Sequence, residues 1–301
     1  MRPPAVYHYS TPSYAYITYI GCSKSATKPQ PWQRVYNRDT KANLAACREC
    51  SLKRNVMQNR HGLNRKIPEG IKREVRKACG YGCVICGAAI VEYEHVDPVF
   101  SDAHEHSPDG IVLLCPQCHA KKTRGFLSPD RVKEAKEQPI SQKKNFAHEF
   151  FDLGSRPPAF VLGGCSIKNT PIPLEIHGYP VIKIEPSREE GGPALFSGTF
   201  FNSRGELSLQ IIENEWRALS NNWDFEAIGG GLIVRDAPRS ISLRLRASSD
   251  AGIIVEAINM RVGAYQIIGD ETDLLLRGDG GLEMHCGSMI MHNCPIGFSL
   301  G

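Results

Sequence analysis

The chain has 301 residues, 41% of them hydrophobic and 23% charged, which is enough apolar material for the cores of two or three domains. No stretch approaches the roughly 18–20 apolar residues of a membrane helix, so no membrane partner is expected. The formal net charge of +4 is unevenly spread: residues 1–70 hold 12 Lys/Arg against 3 Asp/Glu, and residues 151–301 hold 12 against 18.

A basic front suits a polyanionic partner, and an acidic back would repel one. Residues 1–20 are aromatic and polar, unlike the apolar centre of a secretory signal. Eleven cysteines, an odd number, include four in a metal-like arrangement. That favours a reducing compartment, and a cytoplasmic location is expected.

In chain order, residues 1–67 read as a basic, partly irregular region broken early by Pro3, Pro4, Pro12, Pro29 and Pro31. A helix is expected around Cys47 and Cys50, a Cys-x-x-Cys pair that could form a second zinc site with Cys22 or His61. Pro68 at a first helical position, followed by Glu69, opens a helix into Cys79. Its Ile71, Val75 and Ala78 share one face, leaving Lys72, Arg73, Arg76 and Lys77 mostly exposed. Residues 90–96 alternate as a strand, 97–110 form a polar loop, and 110–114 (GIVLL) read as a short buried strand. Pro116 starts a helix carrying His119, Lys121 and Lys122 and ending near Gly125. Ser128 caps a further helix that Pro139 stops.

From residue 156 the composition changes to a train of short strand candidates separated by Gly, Pro and Asn turns. The whole is therefore α+β, with residues 156–301 a β-rich domain, either a sandwich or an irregular solenoid. No catalytic set stands out in it. His285, Cys286, Met291 and Cys294 on the terminal strands read as packed side chains.

The chemistry concentrates between Cys83 and His119. Cys83, Cys86, Cys115 and Cys118 form two Cys-x-x-Cys pairs, the spacing of a structural zinc site. Glu94, His95 and His119 make a separate acid, base and imidazole set. Phosphodiester hydrolysis asks for a base near neutral pH, which His95 can be, and for a hard cation, which Glu94 and His119 can hold. Thiolates would not suit such a cation.

The segment from Ile71 to about Pro129 resembles the HNH endonuclease family, the ββα-metal nucleases, in its zinc-bearing branch with two Cys-x-x-Cys pairs. The resemblance covers about a fifth of the chain. It implies a ββα-metal nuclease domain over residues 68–150, with Glu94 a ligand of a catalytic Mg²⁺ or Mn²⁺, His95 the base and His119 a further ligand. Lys122 falls where the family often has a basic residue near phosphate.

One position departs from that pattern: the family's middle Asn is replaced by Gly110. Asp109 is the first expected substitute and His106 the second. The resemblance implies a metal-dependent endonuclease acting on DNA, with RNA not excluded, as in bacterial or phage defence. A catalytically inactive, zinc-stabilised nucleic-acid-binding or regulatory protein is the alternative. The β-rich segment is expected to sense a signal, select substrate or form a homo-oligomer.

Overall fold

Pro68 stands at the N-cap of the first described helix, α1 (Glu69–Ala78), one position earlier than the sequence suggests. The computed structural model describes residues 58–248, 252–278 and 281–301, so Cys22, Cys47, Cys50 and the helix expected around them lie outside the described residues. Residues 54–301 form one compact unit. Helix α1 buries Val75 and Arg76 and runs into buried Cys79, whereas Ala78 is exposed and Ile71 half-buried. The expected exposure of Arg76 is thus corrected. A strand of the β-rich region covers that side of the helix and supplies Asp224 as a partner.

Strand β1 (Glu92–His95) pairs antiparallel with β2 (Ile111–Leu114), placing Glu94 opposite Val112 and His95 opposite Ile111. All four residues of β2 are buried. Helices α2 (Pro116–Thr123), α3 (Pro129–Glu137) and α4 (Ile140–Lys144) follow. The Ser128 hydroxyl accepts a hydrogen bond from the Arg131 N–H at 3.2 Å, capping α3. A small apolar core joins these pieces: Val75, Cys79, Val84, Ile111 to Leu114, Val132 and Ala135.

The rest is β-structure. The strands are β3 (Phe146–Phe150), β4 (Phe160–Leu162), β5 (Cys165–Lys168), β6 (Ile172–Ile176), β7 (Tyr179–Glu185), β8 (Leu195–Phe201), β9 (Leu207–Ile212) and β10 (Glu215–Leu219). They continue with β11 (Asp224–Ile228), β12 (Gly231–Ala237), β13 (Ser240–Ser248), β14 (Gly252–Val262), β15 (Tyr265–Asp270) and β16 (Asp273–Arg277). Last come β17 (Glu283–Gly287), β18 (Ile290–His292) and β19 (Ile296–Leu300).

A seven-stranded sheet has the order β19-β6-β7-β8-β9-β10-β3. A ten-stranded sheet runs β11 to β17 in sequence, with β4, β5 and β18 attached. Both sheets feed one apolar core that includes Phe160, Phe196, Trp216, Phe225 and Leu243. Shared burial between two sheets, rather than a stack of coils, organises the region.

Strand β3 precedes residue 156, where the train of strand candidates begins. β3 matters for the boundary expected near residue 150. It pairs with β10, with Ala147 opposite Ala218, and on its other side the Ala89 N–H donates to the His148 carbonyl at 3.0 Å. Tyr81 and Ala89 belong to the β-region's core. The front and back segments are therefore stitched by backbone, core and ion pair together.

Candidate metal centre and functional site

The first Cys-x-x-Cys pair sits in a tight turn where Gly87 (φ 86°) donates its N–H to the Cys83 carbonyl at 2.8 Å. A side chain there would be strained, so glycine suits the position. The second pair begins at the N-cap of α2, where the Cys118 N–H points at Cys115 Sγ, 3.4 Å away. A helix N-terminus favours a thiolate at that place. The strand β2, packed under both turns, sets their distance through the Val84 N–H to Leu113 carbonyl bond of 3.0 Å.

The four Sγ atoms lie within 4.8 Å of one another. Cys86 Sγ is 3.6 Å from Cys115 Sγ and 3.9 Å from Cys118 Sγ. A tetrahedron with Zn–S bonds of about 2.3 Å has sulfurs about 3.8 Å apart, so the donor set fits zinc in kind and in spacing. The thiols also perturb one another. Cys86 beside Cys83 holds the latter's pKa down to about 5. Burial and the Cys83 charge push Cys118 up to about 12. Adjacent Cys79 is buried, its thiol raised to about 11 by burial, and it stands apart from the cluster as an inert packed group. Among the described residues the four cysteines are the one group of three or more metal-type side chains that converge.

The acid–histidine set lies along β1 and α2. Glu94 and His95 point to opposite faces of β1, as strand geometry requires. On the Glu94 side, Glu94 Oε2 is 3.2 Å from His119 Nε2, and Glu94 Oε1 pairs with Lys122. His119 Nδ1 donates to Glu92 Oε2 at 2.5 Å. Glu92 was not picked out in the sequence, although alternation puts residues 92 and 94 on one strand face.

With its Nδ1 hydrogen directed at Glu92, His119 turns Nε2 toward the Glu94 carboxylate. Neighbouring ligands of an octahedral ion at about 2.1 Å lie about 3.0 Å apart, so this pair fits such an ion in donor chemistry and in spacing.

On the other face, His95 is 8% exposed, and burial followed by the nearby His106 lowers its pKa from the ordinary 6.5. His95 Nε2 is 3.1 Å from His106 Nδ1, and His106 Nε2 is 2.8 Å from the Asn64 carbonyl. A carbonyl only accepts, so His106 Nε2 carries the hydrogen and its Nδ1 accepts from His95 Nε2–H. That assigns the free lone pair of neutral His95 to Nδ1. Phe100 meets the His95 ring edge-on at 5.3 Å.

Gly110 lies where β2 leaves its loop. Its carbonyl accepts from the Val96 N–H at 2.8 Å, and a Cβ built on it would stand 2.5 Å from the Asp97 carbonyl oxygen. Backbone occupies the space that a side chain would need. Asp109 is exposed, and its backbone carbonyl accepts from Lys136. His106, not Asp109, is the neighbour that touches His95.

The remaining candidates scatter. The His61 ring stacks on His104 with centroids 3.8 Å apart. His285 is exposed, which corrects the expectation of a packed side chain there, whereas Cys286 is buried, Met291 packs partly buried against the core and Cys294 is half-buried; His292 is exposed. Comparison with family models, curated proteins and solved structures finds no match to this chain.

Proposed function

We propose that the chain is a metal-dependent endonuclease of the HNH type, hydrolysing phosphodiester bonds of DNA. The observation that carries this reading is the convergence of Glu94 Oε2 and His119 Nε2 at 3.2 Å, one residue from a buried neutral histidine and on a helix capped by a zinc-type cysteine. The cysteine cluster serves as the structural zinc site of the reading. It ties the Cys83–Cys86 turn to the N-terminus of α2, the helix that carries His119. Exposed Lys121 and Arg124 at the end of α2 support a polyanion beside the cluster.

In this reading Glu94 and His119 hold Mg²⁺ or Mn²⁺, and the ion supplies positive charge to the phosphate and leaving oxygen. Glu92 fixes the His119 tautomer so that Nε2 faces the site. His95 Nδ1 takes a proton from the attacking water. The water oxygen forms the new P–O bond, the ester P–O bond breaks, and the leaving oxygen is protonated by solvent. His106 accepts a hydrogen bond from His95 Nε2–H, steadying the imidazolium that forms.

The test is cleavage of supercoiled plasmid and of RNA by the full chain, with Mg²⁺, with Mn²⁺ and with chelator. His95→Ala should keep the fold and lose about 10²-fold or more in rate. Glu94→Ala and His119→Ala should lose metal-dependent cleavage. The Lys122–Glu94 ion pair favours a second reading, in which the centre is inactive and the module only binds nucleic acid. Salt-sensitive DNA binding with no cleavage under any metal would select it.

A further inference from the structure

β3 is an edge strand of the seven-stranded sheet and β11 an edge strand of the ten-stranded one. Where these edges face each other, beside residue 90 of the zinc-site segment, the fold leaves a cavity of about 450 Å³. Its walls include Phe151, Trp216, Ala227 and Leu232, and Ile90, Phe150 and Ile228 also line it. Those last three are 52%, 61% and 58% exposed, so large apolar side chains that water disfavours gather at one opening. The volume lies in the range of small-molecule sites, and mostly apolar walls at a junction of substructures are the usual setting for one.

The charged side chains lining the cavity are Glu149 and Asp152. Neither pairs with Lys, Arg or His among the described residues; Glu149 accepts from the Phe150 N–H at 3.3 Å and exposed Asp152 from the Gly154 N–H at 3.1 Å. Glu149 is half-buried. A neutral guest filling the cavity would strip water from half-buried Glu149 without replacing it, and an anion would add repulsion from both carboxylates. A guest with an apolar body and one positive group satisfies both the walls and the rim. We propose that this cavity binds an apolar organic cation of roughly bicyclic aromatic size. The site involves neither the cysteines nor the Glu94–His119 pair, so it stands or falls separately from the nuclease reading.

The probes are 1-naphthylmethylammonium, 1-naphthalenemethanol and 1-naphthaleneacetate, titrated calorimetrically into the full chain. The ammonium should bind one per chain, the alcohol about tenfold more weakly, and the carboxylate not measurably. The Glu149→Gln, Asp152→Asn double variant should bring the ammonium down to the alcohol's affinity. Ile228→Lys sets a cation at an exposed place on the opening. It should abolish ammonium binding while leaving the melting temperature unchanged. No binding by any probe overturns the site. Unaltered ammonium binding in Ile228→Lys places the guest elsewhere and overturns it too. Equal binding of all three probes overturns the charge assignment.

Discussion

Arg76 offers the sharpest test of how the two halves are joined. Its side chain is 6% exposed, and its guanidinium makes a two-pronged contact with Asp224: Nε to Oδ1 at 2.9 Å and Nη2 to Oδ2 at 2.8 Å. Nη1 also donates to Glu69 at 2.8 Å and to the Tyr93 hydroxyl at 2.9 Å, and lies 3.4 Å from Glu226. Burial opposes the charge, but Asp224 and Tyr93 more than offset it and hold the guanidinium's pKa above its ordinary value.

Arg76→Met leaves Asp224 and Glu226 with Arg235, 3.4 Å from Asp224, and Glu69 with Lys72 at 3.7 Å. Removing one partner of a buried pair costs about 3–5 kcal/mol. The partial cover by Arg235 puts this case near the lower end. For a unit of this size, about 3 kcal/mol lowers the melting temperature by about 6–12 °C. Urea and thermal unfolding of the parent, Arg76→Met, Asp224→Leu and the double variant give the coupling directly. The double variant should recover most of the loss, because an apolar pair replaces a charged one. An Arg76→Met protein within about 0.5 kcal/mol of the parent would refute the reasoning.

Zinc should copurify with the full chain without being added, and Cys115→Ser should lose it and loosen the region around β2. Elemental analysis with circular dichroism checks both, and full occupancy in the variant counts against the cluster. Gly110→Ala should destabilise by about 1–3 kcal/mol, because its Cβ would meet the Asp97 carbonyl at 2.5 Å. Gly110→Asn should fail to raise cleavage for the same reason, and an undiminished melting temperature in either would contradict the packing. Cleavage should lose its base as pH falls, with the acidic limb below 6.5 because burial and His106 lower the His95 pKa. By linkage the same group lends stability above pH 6.5 that is lost as pH falls through its depressed value. A limb at or above 6.5 would mean that another group is the base. His106→Ala should slow cleavage more than Asp109→Ala, since only His106 touches His95.

The metal site was legible because a tetrahedral ion dictates its own spacing, and Cys83, Cys86, Cys115 and Cys118 carry that constraint in one short stretch. The long β-meander from β12 to β16 was legible because each strand alternates over five or more residues. β3 (FAHEF) and β11 (DFEAI) carry acidic or imidazole groups within short runs, and their pairing partners are what make them strands. Arg76 was misread because helix periodicity sees only the helix. Its partner stands 148 residues away in the chain. Nor can spacing say which loop residue folds back on His95. That depends on how residues 97–110 turn, and Asn59 and Asn64 hold that loop in place from well upstream: Asn59 Nδ2 donates to the carbonyls of Phe100 and Ala103, and the Asn64 carbonyl accepts from His106.

The parallel pairing of β19 with β6 gives the fold a sense of time. Leu174 on β6 registers with Phe298, so the outer edge of the seven-stranded sheet is closed by residues made long after it. At about 5–20 residues per second a ribosome takes roughly 6–25 s to travel between them. Throughout that interval β6 presents an open row of amides and carbonyls flanked by Leu174 and Ile176, both destined for the core. The four cysteines are all made by residue 118, but the zinc-side segment still waits for Asp224, the partner of buried Arg76. Synthesis therefore completes the cysteine set before the β-body, and the unfinished edge is where a holding chaperone, or a second nascent copy, would meet this chain first.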